Sequence, residues 1–172
     1  MIIRPLAPAD FDAVDNVHRA AFASTAFGHQ GEADLVRQIH ADGDALVSLV
    51  AESEGRIVGH TLFSRMEVEA DGMPLQGAGL APVGILPDLH GAGIGSALIW
   101  WGLEMLHGQG IQISFVLGHP DYYPRFGYSA KTALPFASPF AGPHFMALLL
   151  DKGVRLPESG RARYAPAFGP ER

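Results

Sequence analysis

Apolar and polar positions recur along the chain in blocks that predict a mixed order of strands and helices. Ile2-Ile3-Arg4 predicts a short first strand. From Ala9 to Ala21, Phe11, Val14, Val17 and Ala21 fall on one helical face, and from Gly31 to Ala41 Leu35, Val36 and Ile39 do the same. Apolar runs over Leu46–Ala51 and Arg56–Val68 predict two strands joined at Glu54-Gly55, a hairpin signal. Asp71-Gly72 marks the next turn and Leu75–Leu86 the next strand. Ile94, Leu98, Trp101 and Met105 then form a helical stripe that runs to about His107 and stops at Gly108 and Gly110. A strand over Ile111–Leu117, a short helix near Asp121–Arg125 and a last strand over Phe145–Leu150 complete the order.

Two irregularities interrupt this pattern. Pro82 lies inside a predicted central strand, where a missing N–H is excluded unless pairing is broken by a bulge or a splay. An edge strand with Pro82 facing solvent is the alternative, and the apolar flanks on both sides argue against it. The second irregularity is the glycine alternation at 91, 93 and 95, between a strand that stops at Pro87 and a helix. A helix start presents amide groups without intrahelical partners and the positive end of the helix dipole. Glycines let a phosphate approach that backbone. A ligand-free glycine connection would carry an entropic cost for no return.

Three ligand classes fit such a turn in principle. A Walker loop needs a Lys before Ser or Thr at the helix start, and Ser96 has none. A dinucleotide fingerprint needs a third Gly or Ala, but Ser96 or Leu98 stands there. The acidic residue expected after the next strand is also absent from Ile111–Leu117. The remaining class is the pyrophosphate of coenzyme A. Here the chain resembles the GNAT superfamily of acetyl-CoA-dependent N-acetyltransferases, whose signature is Gln/Arg-x-x-Gly-x-Gly/Ala. The match falls on Gly93 and Gly95, with His90 in the place of Gln or Arg. The resemblance covers residues 1–150, with residues 151–172 as an extended arm of the same domain. The string Tyr122-Tyr123-Pro124-Arg125-Phe126-Gly127 looks like that of a bacterial branch of predicted acetyltransferases.

The resemblance implies a fold class of α/β with a mixed sheet (α+β in character). This is a GNAT-like acyl-CoA N-acyltransferase fold, with its central sheet splayed between the fourth and fifth strands and flanked by helices. It implies that acetyl-CoA is bound with its pyrophosphate on the backbone of His90, Gly91, Ala92, Gly93, Ile94, Gly95 and Ser96. Its pantetheine arm would bond the backbone of Val83, Gly84 and Ile85. It also carries a Tyr-x-x-x-Gly-Phe/Tyr motif onto Tyr123, Gly127 and Tyr128. Tyr123 is then the acid that protonates the departing thiolate, since a phenol keeps its proton at neutral pH. Tyr122 reads as a packed aromatic, and His119 as a turn residue or an assistant to Tyr123. The family often places an Asn after this strand, and the chain has only Asn16. For the general base, Glu32 at the start of the second helix stands ahead of Glu67 and Glu69, with a water chain as the alternative.

Composition narrows the remaining classes. The chain has 172 residues, 48% of them hydrophobic, enough to bury one domain's core. It has no cysteine, which excludes disulfides, thiolate ligands and a Cys nucleophile. The eight histidines show no metal-ligand spacing, so no metal is expected. A net charge of −6 argues against nucleic acid and fits a cationic amine. Without a long apolar run or a signal peptide, no membrane span is expected and the cytoplasm is the expected location. From Gly153 the tail carries three prolines and four arginines and reads as an arm over the domain or as a homodimer contact.

The expected activity is therefore acetyl transfer from acetyl-CoA to a primary amine, on a small molecule or a protein, by direct attack. A non-catalytic acyl-CoA-binding module is the alternative, and a nucleotide-dependent oxidoreductase a third reading.

Overall fold

The computed structural model describes residues 1–23 and 31–172, so His29 lies outside the described residues. The elements run β1 (Ile2–Pro5), α1 (Phe11–Phe22), α2 (Glu32–Ala41), β2 (Ala45–Ser53), β3 (Arg56–Ala70), β4 (Met73–Ile85), α3 (Ile94–Gly108) and β5 (Ile113–Leu117). Then come α4 (Ala130–Ala133), β6 (Phe136–Ala137), β7 (Phe145–Leu149) and β8 (Gly160–Arg163). The chain divides into two compact units. The first holds Met1–Phe63 and Pro82–Glu104, the second Ser64–Ala81 and Met105–Arg172. Strands β3 and β4 contribute to both.

In the first unit β1 pairs antiparallel with β2, Ile2 opposite Glu52 and Pro5 opposite Leu49. The turn from β2 to β3 has positive φ at Glu54 and Gly55 (52° and 74°), the I′ geometry that matches strand twist. Residues Val58 to Ser64 of β3 are buried without interruption, as in a strand covered on both faces. Val14 and Val17 of α1, Val36 and Ile39 of α2, and Leu98 and Ile99 of α3 are buried in this unit. Two ion-pair clasps tie the chain locally. Arg4 grips Asp10 with two bonds (2.7 and 3.0 Å) and reaches Glu52, while Arg37 on α2 holds Asp15 on α1 at 2.6 Å.

The buried face of α3 differs from the predicted stripe. It runs through Ile94, Leu98, Ile99, Leu103 and Leu106, while Trp101 is 57% exposed. Gly102 decides this: a Cβ there would collide with the Phe63 ring, so the helix approaches β3 most closely at Gly102. Trp101, one position earlier, is turned about 100° away. Helix α1 likewise buries Asp15 and His18 beside its predicted apolar residues.

In the second unit the sheet is mixed. β4 pairs parallel with β5, Gly77 opposite Ile113 through Leu80 opposite Val116, and β5 pairs antiparallel with β7. The β4–β5 ladder ends at Leu80, two residues before Pro82, so the missing N–H falls outside that ladder. Past Phe63, β3 begins to alternate, with Arg65, Glu67 and Glu69 exposed and Met66 and Val68 buried. The turn at Asp71-Gly72 is again positive in φ (50° and 80°). The core gathers Met66, Val68, Ile113, Phe115, Phe136, Phe145 and Tyr164, with Phe115 stacked on Phe145 at 5.3 Å.

Two further elements differ from the prediction. The tail folds into β8, which pairs antiparallel with β3 (Glu67 opposite Arg163) and parallel with β6. The short helix expected near Asp121–Arg125 is a 3-10 turn over Tyr123–Phe126. Pro124 has no N–H for a helical bond, and Gly127 ends the turn at φ 101°. The short α-helix lies later, at α4, where the Ser129 hydroxyl accepts the Thr132 N–H at 3.1 Å.

Candidate functional site

The glycine turn belongs to the first unit. After β4 the chain makes a 3-10 turn over Pro87–Leu89 and enters α3 at Ile94. Gly91 and Gly93 both take φ 80°, a left-handed conformation that L side chains rarely adopt. A Cβ at either position would meet nothing within 4 Å, so backbone geometry rather than crowding within the chain requires glycine there. The loop is exposed at Gly91, Ala92 and Gly93, while Ile94 is buried and anchors the helix start. The α3 ladder opens with the Ala97 N–H donating to the Gly93 carbonyl at 3.1 Å. The result is an open concave backbone at a helix N-terminus, a shape suited to a phosphate.

His90 is fixed by the strand that precedes it. Its Nε2–H donates to the Ile85 carbonyl at 3.0 Å. The ring therefore ties the turn to the end of β4, and brings His90 together with the Val83–Ile85 segment. The Leu86 N–H donates to the Val58 carbonyl at 2.9 Å and holds that segment to β3. Glu32 sits half-buried in the first turn of α2 and makes no side-chain hydrogen bond or ion pair among the described residues. Glu69 is paired with Arg161 at 3.0 Å on the surface, and Glu67 is exposed.

Tyr123 belongs to the second unit. The N–H groups of Tyr122 and Tyr123 both donate to the His119 carbonyl (3.1 and 3.3 Å), so the exposed His119 shapes the turn through its main chain. The Tyr123 ring lies against Gly118 at the end of β5, where any Cβ would collide with it. It stands edge-on to Tyr122 and Tyr128, at 5.0 and 6.1 Å between centroids. Burial, and secondarily Tyr122, push its hydroxyl up to about 12, so it keeps its proton throughout the neutral range. No described residue hydrogen-bonds to that hydroxyl. Tyr128 differs: its buried hydroxyl is 2.7 Å from Ser114 Oγ and is used by the core. Arg125 packs its guanidinium over Tyr122 at 4.3 Å.

Sequence spacing did not reveal a buried cluster in the first unit. His18 Nε2 lies 2.8 Å from His60 Nδ1, His60 Nε2 lies 2.9 Å from Ser48 Oγ, and Ser48 Oγ lies 3.0 Å from His40 Nε2. His18 and His60 are 1% and 0% exposed. Burial lowers His18 to about 4 and holds His60 well below the usual histidine range, so both rings are neutral at pH 7. Gly84 admits this cluster: its Cβ would stand 2.6 Å from His18 Nδ1. Among the described residues, no group of three or more His, Cys, Asp or Glu could hold a metal ion. No described helix is long and apolar enough to cross a membrane.

A mixed sheet whose parallel pair parts before a glycine turn and a helix start defines an acyl-coenzyme A-binding class of fold. The chain belongs to the GNAT family of acetyltransferases: the acetyltransferase (GNAT) domain matches residues 2–130. It is 35% identical over 129 residues to the uncharacterized N-acetyltransferase YhbS of Escherichia coli (strain K12), covering 74% of this chain and 73% of that protein. It is 44% identical over 106 residues to the uncharacterized N-acetyltransferase YjhQ of the same strain. That match covers 60% of this chain and 58% of YjhQ. Among solved structures it is similar to a GNAT family acetyltransferase from Brucella melitensis in complex with acetyl-CoA. The TM-score is 0.81 at 34% identity, over 98% of this chain and 97% of that one. It is also similar to the E. coli YhbS structure in complex with CoA, at TM-score 0.81 and 29% identity over 97% and 91%.

Proposed function

We propose that this protein transfers the acetyl group of acetyl-CoA to a primary amine, on a small molecule or a protein, by direct attack of the amine on the thioester. The observation that carries the reading is the pair of left-handed glycines, Gly91 and Gly93, opening α3 in a chain of this family. Acetyl-CoA supplies an activated acyl carbon and a thiolate leaving group. The residues of the chain do the rest. The amides of Gly91 to Ser96 take the pyrophosphate, with His90 bracing the turn through Ile85. The main chain of Val83, Gly84 and Ile85 takes the extended arm. Tyr123 offers its hydroxyl proton to the sulfur as charge develops there. Glu32 is assigned to the acceptor side, where a carboxylate attracts an ammonium group. Residues 1–150 carry this machinery, and residues 151–172 complete the same domain. The reaction is assigned to the cytoplasm.

Calorimetric titration with acetyl-CoA tests the binding half, and thiol release over a panel of primary amines tests the transfer half. Binding that is lost in a folded Gly93→Val variant, with thiol release on at least one amine, supports the reading. Absence of acetyl-CoA binding overturns it. Binding without turnover on any amine reduces the protein to a binding module.

A further inference from the structure

We propose that the cavity on the open face of β8, β3 and β4 binds an acidic α-amino acid, with its two carboxylates on Arg65 and Arg163 and its ammonium on Glu67. The site does not rest on the transfer reading. All its residues lie in the second unit. The cavity measures about 480 Å³, a volume within the range of small-molecule sites, and it opens to solvent.

The sheet makes this cavity where β3 loses cover on one face. β3 is buried without interruption from Val58 to Ser64. From Arg65 it alternates, with Met66 and Val68 inward and Arg65, Glu67 and Glu69 outward. Successive outward residues of a strand stand about 7 Å apart. β8 sets Arg163 directly opposite Glu67 and Arg161 directly opposite Glu69. Opposite side chains of an antiparallel pair start about 5 Å apart, and Arg65 stands diagonal to Arg163 at about 7–8 Å. On the other flank β4 turns Gly77 inward, where a Cβ would strike Val68. Gln76, the next residue along, is therefore outward and lines the cavity beside the charges.

The two cross-strand pairs are equivalent in register and differ in outcome. Arg161 bonds Glu69 at 3.0 Å. Arg163 and Glu67 stand opposite each other in the same ladder, yet neither makes an ion pair or side-chain hydrogen bond among the described residues, and neither does Arg65. Arg163 is half-buried, so its guanidinium has given up part of its hydration with no carboxylate to offset the loss. The cavity thus presents two cations and one anion that the fold leaves unmatched. A ligand that answers them one for one carries two anions and one cation. A guanidinium fork takes a planar carboxylate through two parallel bonds, and a carboxylate accepts from an ammonium. An acidic α-amino acid holds these groups on one short chain. A dicarboxylate or inorganic phosphate would put like charge against Glu67, and a neutral amino acid would leave one arginine unmatched. In a chain of net charge −6, a cavity where arginines outnumber carboxylates also draws an anion away from the rest of the surface.

The test uses the full chain without acetyl-CoA, so its result is read apart from the transfer chemistry. L-Glutamate is titrated at low ionic strength, where exposed charges are least screened, and followed by 1H–15N NMR of the backbone amides and arginine Nε–H groups. Saturable shifts are expected along Arg65–Glu69 and Arg161–Arg163. Analogues divide the recognition: L-glutamine lacks one carboxylate, glutarate lacks the ammonium, and N-acetyl-L-glutamate masks it. Each should bind about tenfold more weakly than L-glutamate. Arg65→Gln and Glu67→Gln alter exposed side chains and leave the core untouched. Arg65→Gln should abolish the preference for L-glutamate over L-glutamine, and Glu67→Gln the preference over glutarate. Absence of saturable shifts with both L-glutamate and L-aspartate up to about 10 mM overturns the proposal. Glutarate binding as tightly as L-glutamate, or unchanged L-glutamate affinity in Arg65→Gln, overturns it as well.

Discussion

Gly84→Ala is the sharpest probe of the packing beneath the proposed donor strand. Its Cβ would stand 2.6 Å from His18 Nδ1 and 2.9 Å from Cε1, closer than side chains tolerate. The ring cannot slide freely, because His60 holds its other nitrogen at 2.8 Å and is itself held by Ser48 at 2.9 Å. Forcing one methyl into a filled site costs about 1–3 kcal/mol. Breaking the His18–His60 bond in a buried place adds about 1–3 kcal/mol. The sum, roughly 2–6 kcal/mol, is large against a typical domain stability of about 5–15 kcal/mol. Urea unfolding of wild type, Gly84→Ala, His18→Ala and the double variant measures it. The double variant should be less destabilised than the two single changes together, because removing the ring vacates the space that the methyl needs. Gly93→Ala is the control: it meets no neighbour, so only its φ of 80° costs, about 1–2 kcal/mol. A Gly84→Ala protein within about 0.5 kcal/mol of wild type, a change typical of a surface site, would refute the argument.

Three other outcomes are expected. Tyr123→Phe should lower kcat by roughly 10²-fold with acetyl-CoA affinity unchanged, while Tyr122→Phe stays near wild type; full turnover in Tyr123→Phe would remove the acid assignment. His90→Ala loses one bond to the Ile85 carbonyl and should weaken acetyl-CoA binding by about 1 kcal/mol in calorimetry, whereas complete loss would make the ring a direct phosphate ligand. Burial lowers His18 from 6.5 to about 4, so as pH falls below 6.5 the unfolded chain takes up a proton that the folded ring refuses. Stability should therefore fall between pH 6.5 and 4, by up to roughly 3 kcal/mol from this ring, and a His18→Gln variant should show a shallower slope in urea melts.

Local signals in the sequence were dependable where the physics is local. Glu54-Gly55 and Asp71-Gly72 both became turns with two positive φ angles, because the turn type follows from the residues themselves. The glycine alternation before α3 likewise announced left-handed backbone at Gly91 and Gly93. What escaped was set by distant partners. Trp101 reads as an inward apolar position, yet the face of α3 is fixed by the Phe63 ring fitting against Gly102. Gly160–Arg163, with two arginines in four residues, has no strand pattern of its own and is a strand because β3 offers it an edge. His18 and His60 stand 42 positions apart, so no spacing rule could join them.

The pairing of β8 with β3 also bears on the order in which this protein can be completed. Ala70 and Glu67 find their partners Gly160 and Arg163 only at the far end of the chain. A ribosome delivers β3 long before it delivers the strand that lies alongside it. Throughout that interval the Glu67–Ala70 edge has open hydrogen-bonding groups, the kind of surface on which a second nascent chain can nucleate. The alternating charges of Arg65, Glu67 and Glu69 stand on that same stretch and discourage such pairing until the tail arrives. Closing so distant a contact is slow, so this pairing should be among the last parts of the second unit to form.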